Sequence, residues 1–173
     1  HLLGLSASEL IADYGSVIKY IQLPTQRVLE LRYLPIAPSA VHHFEDVKHL
    51  ILLNEAVMVV SLPLLVFGLK KQKRQNQLWR LILPFQMLFI LLLFSGFMGI
   101  TNFDVLFIKF HYLFFSNMDW LFDPRTTPII LLMPEYFFTV LFGLWLGFIL
   151  IILLLIWGWI KLMLNIFFNK TRT

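Results

Sequence analysis

Cysteine is absent from the 173 residues, and charged residues make up only 14% of them. Without cysteine the chain has no thiol nucleophile, no disulfide and no thiolate metal site, so its redox compartment is left open. The sequence also has no GxSxG or HExxH motif, no glycine-rich phosphate loop and no DxD pair. These absences exclude the motif-bearing serine hydrolases, zinc proteases and nucleotide-binding enzymes.

What the chain does contain is apolar surface. Hydrophobic residues form 59% of it, including 18 Phe, and the mean hydropathy is +0.79. These values lie outside the range of soluble domains, and we expect a mainly α membrane protein in contact with membrane lipids. Three stretches are long enough to cross a bilayer, and we predict transmembrane helices at 41–70, 81–100 and 137–164. The net charge is +4, and the basic residues are clustered beside these apolar stretches, so nucleic acid is not an expected partner.

The distribution of basic residues predicts the topology. The loop at 71–80, together with the preceding Lys70, carries five Lys or Arg and no acid. The tail at 165–173 carries Lys170 and Arg172. By the positive-inside rule both are cytoplasmic, which makes residues 1–40 and 101–136 extracytoplasmic. An outer N-terminus has to be delivered there, and the chain begins with His1 and not Met. We therefore expect a fourth, N-terminal span upstream of this sequence.

The two outer segments differ in character. Residues 1–40 predict a small cap of mixed helix and short strands: a helix at 7–21 started by Ser6 or Ser8 with Glu9, a strand at 28–34, and Ser39 as the cap of the first span. Residues 101–136 are apolar but interrupted by charges, which is typical of an interfacial or re-entrant segment. The stretch DPRTTP predicts a turn, and Pro134 is expected in the first turn of the last span.

The outer end of the first span, VHHFEDVKHL at 41–50, is crowded with ionisable groups. On a helix one stripe holds His43, Val47, Leu50 and Asn54, with Asp46 about 60° away. Lys48 and Glu55 lie on another stripe. An acid within a span is costly, so Glu55 is expected either to face the bundle interior or a water-filled cavity, or to pair with Lys48.

The histidines allow two interpretations. The i, i+4, i+7 spacing of His42, Asp46 and His49 could supply three metal ligands from one helix face, although this pattern alone is weak evidence. His111 lies in a run of aromatic residues, where packing is the usual role of a histidine. An imidazole in a partly apolar pocket is nevertheless the side chain best able to move protons near neutral pH.

Two separated motifs carry a resemblance to a known family. HFEDVK at 43–48 is followed by FHYLFFSNMDWLFDP at 110–124 and PIILLMPEYFF at 128–138. In this order they resemble the bacterial lipoprotein intramolecular transacylase family, Lit, and LSASELIADYGSVIKYIQLP near the N-terminus is also similar. The resemblance covers essentially the whole chain and implies a four-spanning fold. An acid often stands in the family pattern where this chain has Thr127, so we assign that loop no charge-dependent role.

The resemblance implies an enzyme of the bacterial cell membrane with no cofactor. It would move the sn-2 acyl chain of a diacylated lipoprotein from the S-diacylglyceryl cysteine to the α-amino group of the same cysteine. His43 and His111 are the positions that match the family's essential histidines, and His42 and His49 become surface or supporting groups.

The transfer needs a base for the amine and an acid for the leaving glyceryl oxygen, but no enzyme nucleophile. Asp46 is a candidate for fixing an imidazole tautomer, and Asn54 or Lys48 for stabilising the oxyanion. Further supporting or substrate-binding candidates are Glu55, Asn117 and Trp120. The alternative is a non-enzymatic lipid- or lipoprotein-binding module, or a transporter accessory, with a pH- or metal-responsive histidine site.

Overall fold

The structure, a computed structural model, describes residues 4–170, without the side chains of residues 168 and 170. His1 and Arg172, and with them part of the predicted tail, lie outside that range. The elements are α1 (Ala7–Gln22), α2 (Pro38–Arg74), a 3₁₀ helix (Leu78–Leu81), α3 (Ile82–Thr101), α4 (Phe103–Phe114), a second 3₁₀ helix (Pro128–Leu132) and α5 (Glu135–Lys170). The prediction of a mainly α protein is confirmed.

Three helices are long and apolar enough to cross a membrane. They are Pro38–Arg74, Leu78–Thr101 and Glu135–Phe167, with mean hydropathies of 2.3, 2.2 and 2.9. Each exceeds the roughly 20 residues that a hydrocarbon core requires. α4 has 12 residues and is too short to span, so the interfacial placement of the segment at 101–136 stays a prediction.

The helix starts follow local rules with two corrections. Ser6 and Glu9 form a complete capping box at the start of α1. α2 begins at Pro38, one residue before the predicted Ser39 cap, because proline suits the first helical position. Pro134 lies just before α5 and not in its first turn. The turn at 123–127 forms as predicted, with the Thr127 amide donating to the Asp123 carbonyl at 2.8 Å.

The predicted strand at 28–34 is wrong, and residues 4–170 contain no strand. The backbone amides of Arg32, Tyr33 and Leu34 donate to the carboxylate of Asp13 at 2.8, 2.9 and 2.7 Å. Three successive amides directed at one carboxylate cannot also face a neighbouring strand, because strand amides point alternately to opposite sides. Asp13 is fully buried on α1, so this charged acceptor fastens the loop to the helix.

The chain forms two compact units. The first contains the residues up to Val60 together with Phe107–Glu135, and the second contains Ser61–Leu106 and the residues from Tyr136. The core of the first includes Val17, Leu34, Ala40, Phe44 and Ile129.

In the second unit, glycines on α3 allow α5 to approach closely. A Cβ at Gly96 would overlap the Leu146 side chain, and one at Gly99 would lie 3.0 Å from Phe142 Cε1. Small residues at such contacts are how membrane helices gain packing. All residues of the site described next belong to the first unit.

Candidate active site

Two histidines that are far apart in the sequence meet in the first unit. His43 lies near the start of α2, His111 lies near the end of α4, and their ring centroids are 5.6 Å apart. Both are buried, with 6% and 7% of their surface exposed. Ala40, His43, Phe44 and Lys48 are the buried residues of α2, at the spacing of one helix face. The helix thus directs His43 inward and leaves His42 exposed.

Aromatic rings enclose the histidine pair, as we call His43 and His111. The His43 ring meets Phe115 and Phe122 edge-on at 4.8 and 5.5 Å between centroids. His111 lies 4.3 Å from the Phe107 ring and 4.7 Å from the Trp120 ring. Phe115 and Phe122 were not predicted as site residues, and the only sequence signal for them is the aromatic density of 110–122. The enclosure gives the pair an apolar setting in which electrostatic interactions are strong.

The tautomer of His111 follows from one hydrogen bond. Its Nδ1 lies 2.6 Å from the carbonyl oxygen of Phe107, one turn earlier on α4. A carbonyl can only accept, so Nδ1 carries the proton, and Nε2 of the neutral ring carries the lone pair. Burial lowers the pKa of His111, while the bond to Phe107 acts in the opposite direction. The neutral ring is therefore a base oriented by the backbone of its own helix.

We expect His111 to stay neutral at pH values where an exposed histidine is already charged. Because burial disfavours the imidazolium, its titration midpoint should lie below the ordinary value of 6.5. NMR of histidine-labelled protein in detergent micelles measures this midpoint, and the signal missing from the His111→Ala spectrum assigns it. A midpoint at or above 6.5 would contradict the burial argument.

Two buried polar atoms beside these rings lack a hydrogen bond within the described part of the chain: Nδ1 of His43 and Nε1 of Trp120. A buried polar group without a partner costs about 1–3 kcal/mol. Such atoms are uncommon in folded proteins, and functional sites are one of the places where they occur.

Polar contacts at the rim join α2 to the loop after α4. Asn117 Nδ2 donates to Asp46 Oδ2 at 3.0 Å, and His42 Nδ1 lies 2.6 Å from Asp119 Oδ2. The amide of Asp119 also donates to Asn117 Oδ1 at 3.1 Å. Asp46 therefore holds the loop and makes no hydrogen bond to either member of the histidine pair, contrary to its suggested role in fixing a tautomer.

The other polar residues predicted on α2 lie elsewhere. Lys48 is buried, donates to the carbonyl of Gln26 and sits 4.4 Å from the centre of the Tyr20 ring, so it does not pair with Glu55. Asn54 and Glu55 are exposed on α2, and the structure does not bring them to the pair. The suggested oxyanion role of Lys48 and Asn54 is therefore not supported.

The metal interpretation of His42, Asp46 and His49 is also not supported. Among residues 4–170, no group of three or more His, Cys, Asp or Glu is arranged to hold a metal ion. His42 and Asp46 instead contact Asp119 and Asn117, as described above.

The histidine pair, its aromatic enclosure and the sequence around it can be compared with known proteins. The model of the lipoprotein intramolecular transacylase family, Lit, matches residues 1–138. The chain belongs to this family. As a member of the Lit family it is a membrane-integral acyltransferase with several spans. A search of curated proteins gives no significant match.

Solved structures support the same assignment. The chain is similar to the membrane-integral transacylase Lit from Bacillus cereus, with 29% identity and a TM-score of 0.69 over 97% of this chain and 76% of that one. A variant of that protein with one histidine replaced by arginine gives 25% identity and a TM-score of 0.80, over 98% and 75% of the chains. A variant with the histidine replaced by alanine gives 25% identity and a TM-score of 0.67, over 97% of this chain and 74% of that one.

A groove in this Lit-family chain is lined in part by Phe115, whose ring also contacts His43. Its volume is about 400 Å³, and its lining passes from polar residues to apolar ones: His42, Asp46, His49, Ser116 and Asn117, then Leu50, Leu53, Phe114 and Phe115. Successive turns of α2 supply most of this gradient. The groove can therefore accommodate an amphiphile whose polar end lies beside Asp46 and Asn117.

Proposed function

We propose that this chain moves the sn-2 acyl group of a lipoprotein's S-diacylglyceryl cysteine to the α-amino nitrogen of that cysteine, leaving a lyso-form lipoprotein. The observation that carries the proposal is the buried contact of His43 and His111, with His111 Nδ1–H bound to the Phe107 carbonyl. Membership of the Lit family supports the reaction class.

The proposed reaction proceeds without a covalent enzyme intermediate. The neutral amine attacks the ester carbonyl carbon, and the carbonyl electrons move to its oxygen. Nε2 of His111 takes the proton that the amine nitrogen loses. The proton on Nε2 of His111 passes to the lone-pair nitrogen of His43, and the resulting imidazolium gives its Nδ1 proton to the glyceryl oxygen. The tetrahedral intermediate at the same time reforms the carbonyl and breaks its bond to that oxygen, so both rings end neutral.

An enzyme nucleophile is unnecessary because amine and ester belong to one molecule. Holding two such groups in a productive geometry can correspond to effective concentrations of about 10⁵–10⁸ M. This agrees with a chain that has no cysteine and no GxSxG motif. The enclosure of aromatic rings would favour one compact arrangement of the substrate and keep water from competing with the amine.

We propose that the groove holds an acyl chain of the substrate along Leu50, Leu53 and Phe114, with the polar glyceryl and peptide groups near Asp46 and Asn117. Burial of each methylene contributes about 0.8 kcal/mol, so a few turns of apolar helix suffice for useful affinity.

We also propose that the site faces the extracytoplasmic side. His43 lies near the beginning of α2, and the cations Lys70, Lys71, Lys73 and Arg74 lie at its end. The positive-inside rule assigns that basic end to the cytoplasm.

The test is conversion of a synthetic diacylated lipopeptide with a free N-terminus and different acyl chains at sn-1 and sn-2. Purified protein in detergent should leave the mass unchanged, because the reaction is an isomerisation. It should remove the primary amine, and fragmentation should find the sn-2 chain on nitrogen.

Mixing two lipopeptides with distinguishable peptides and acyl chains is the control for intramolecular transfer, and no crossed product is expected. Transfer of the sn-1 chain would contradict the proposed substrate position. A free amine that persists, together with a response to zinc or a chelator, would favour the non-enzymatic lipid-binding alternative.

A further inference from the structure

Attack of an amine on an ester places negative charge on the carbonyl oxygen, and that oxygen needs a hydrogen-bond donor. The side chains around the histidine pair offer few. Asn117 Nδ2 already donates to Asp46, and Lys48 Nζ donates to the Gln26 carbonyl. Asn54 is exposed on α2. The donors suggested by the sequence are therefore either committed to protein acceptors or distant from the pair.

The indole of Trp120 is different. Its Nε1 is buried and makes no hydrogen bond to any described residue. Its ring lies 4.7 Å from the His111 ring, tilted by 33°, and 5.5 Å from the Tyr112 ring. An indole N–H can only donate, so it cannot be satisfied by another donor and cannot compete with His111 for the amine proton.

The loop that carries Trp120 is held in place on both sides of it. Asn117 is bound to Asp46, Asp119 is bound to His42, and the Phe122 amide donates to the Trp120 carbonyl at 3.2 Å. A donor on such a loop needs little reorganisation when charge develops, which is the condition under which oxyanion stabilisation is most effective.

We propose that Nε1–H of Trp120 donates to the carbonyl oxygen of the transferred acyl group and is a further catalytic residue of the site. The hydrogen bond strengthens when the carbonyl electrons move to that oxygen and weakens when the carbonyl reforms. This assignment rests on the proposed function, because it names the donor for the intermediate of that reaction.

The test removes the donor and keeps the ring. Replacing Trp120 with β-(3-benzothienyl)alanine exchanges N–H for sulfur, and the expected result is a fall in kcat of about 10²-fold. KM for the diacylated lipopeptide and the acid limb of the pH profile should change little, because the indole does not titrate. A ring that served only for packing beside His111 would leave kcat near its original value.

Two further variants act as controls. Trp120→5,6,7-trifluorotryptophan keeps the N–H and should retain kcat, which separates donor loss from any effect of a non-natural ring on folding. Trp79→Phe changes a tryptophan that is 56% exposed and lies in the other unit, and should also retain it. Thermal unfolding of each variant is followed in the same detergent.

The outcomes separate this inference from the proposed function. Unchanged kcat in the sulfur variant, with His43→Ala and His111→Ala inactive, overturns the Trp120 assignment alone. Equal losses in the sulfur and fluorinated variants overturn it as well. Full activity in the histidine variants overturns the proposed function itself.

Discussion

His111→Ala is expected to lower the rate of acyl transfer about 10³-fold, within the range typical of a lost general acid or base. The backbone carbonyl of Phe107 fixes the proton on Nδ1, so the substitution removes a base whose Nε2 orientation is already set. Alanine supplies neither a lone pair nor a proton relay. The rate is measured as the disappearance of the primary amine from a diacylated lipopeptide. The substrate is kept in excess so that a lower rate reports a lower kcat.

Lys109→Ala is the control for this variant. Lys109 lies two residues away on α4 but is exposed, so its loss leaves the pocket intact. We expect its rate to stay within about twofold, since exposed substitutions away from special features have small effects. If His111→Ala retained a tenth or more of the original rate, His111 would not be the base.

The sequence was informative for the start of α1 and for the long apolar helices, where short-range patterns decide the structure. The capping box at Ser6 and Glu9 and the three apolar helices follow from short-range patterns, and the structure contains them. Thr127 illustrates the limit of pattern alone. From the sequence we assigned the loop around Thr127 no charge-dependent role and could predict no other. In the structure the Thr127 side chain is buried, and its Oγ1 accepts a hydrogen bond from the Ala37 amide at 3.3 Å. That partner is 90 residues away.

Helical periodicity predicts which residues share a face, but not which face packs against another part of the protein. It predicted His43 on one stripe with Asn54, and Lys48 on another with Glu55. In the structure the buried face takes one member of each stripe, His43 and Lys48, because α1 and the loop after α4 pack on only part of α2. The resemblance to the family motifs selected His43 and His111, and their contact is a fact of tertiary packing that spacing could not supply.

The uncommitted nitrogen of His43 could not be read from the sequence either. A histidine beside Asp46 and Glu45 invites an ion pair, yet Asp46 bonds to Asn117 and Nδ1 of His43 is buried without a partner in the described chain. In a protein that only binds lipid through packing, such an atom has no benefit to offset its cost. In a proton-transfer site the same atom is available to the substrate.

This cost leads to a prediction for His43→Leu. Leucine has a similar volume and fits beside Phe115 and Phe122, and it removes the unpaired polar atom. We expect acyl transfer to fall about 10³-fold while the free energy of unfolding stays constant or rises by about 1 kcal/mol. Activity is measured with the diacylated lipopeptide, and stability by denaturation in detergent.

The comparison variant is Phe44→Leu, at the neighbouring buried position of α2. Loss of ring contacts there should lower stability by about 1 kcal/mol and leave most of the activity, the opposite pattern to His43→Leu. Combining His43→Leu with His111→Ala should cost little more than either change alone, because two groups that pass one proton act as a unit. Independent effects that multiply to about 10⁶-fold would mean that the histidines serve separate steps, and the paired mechanism would then have to be abandoned.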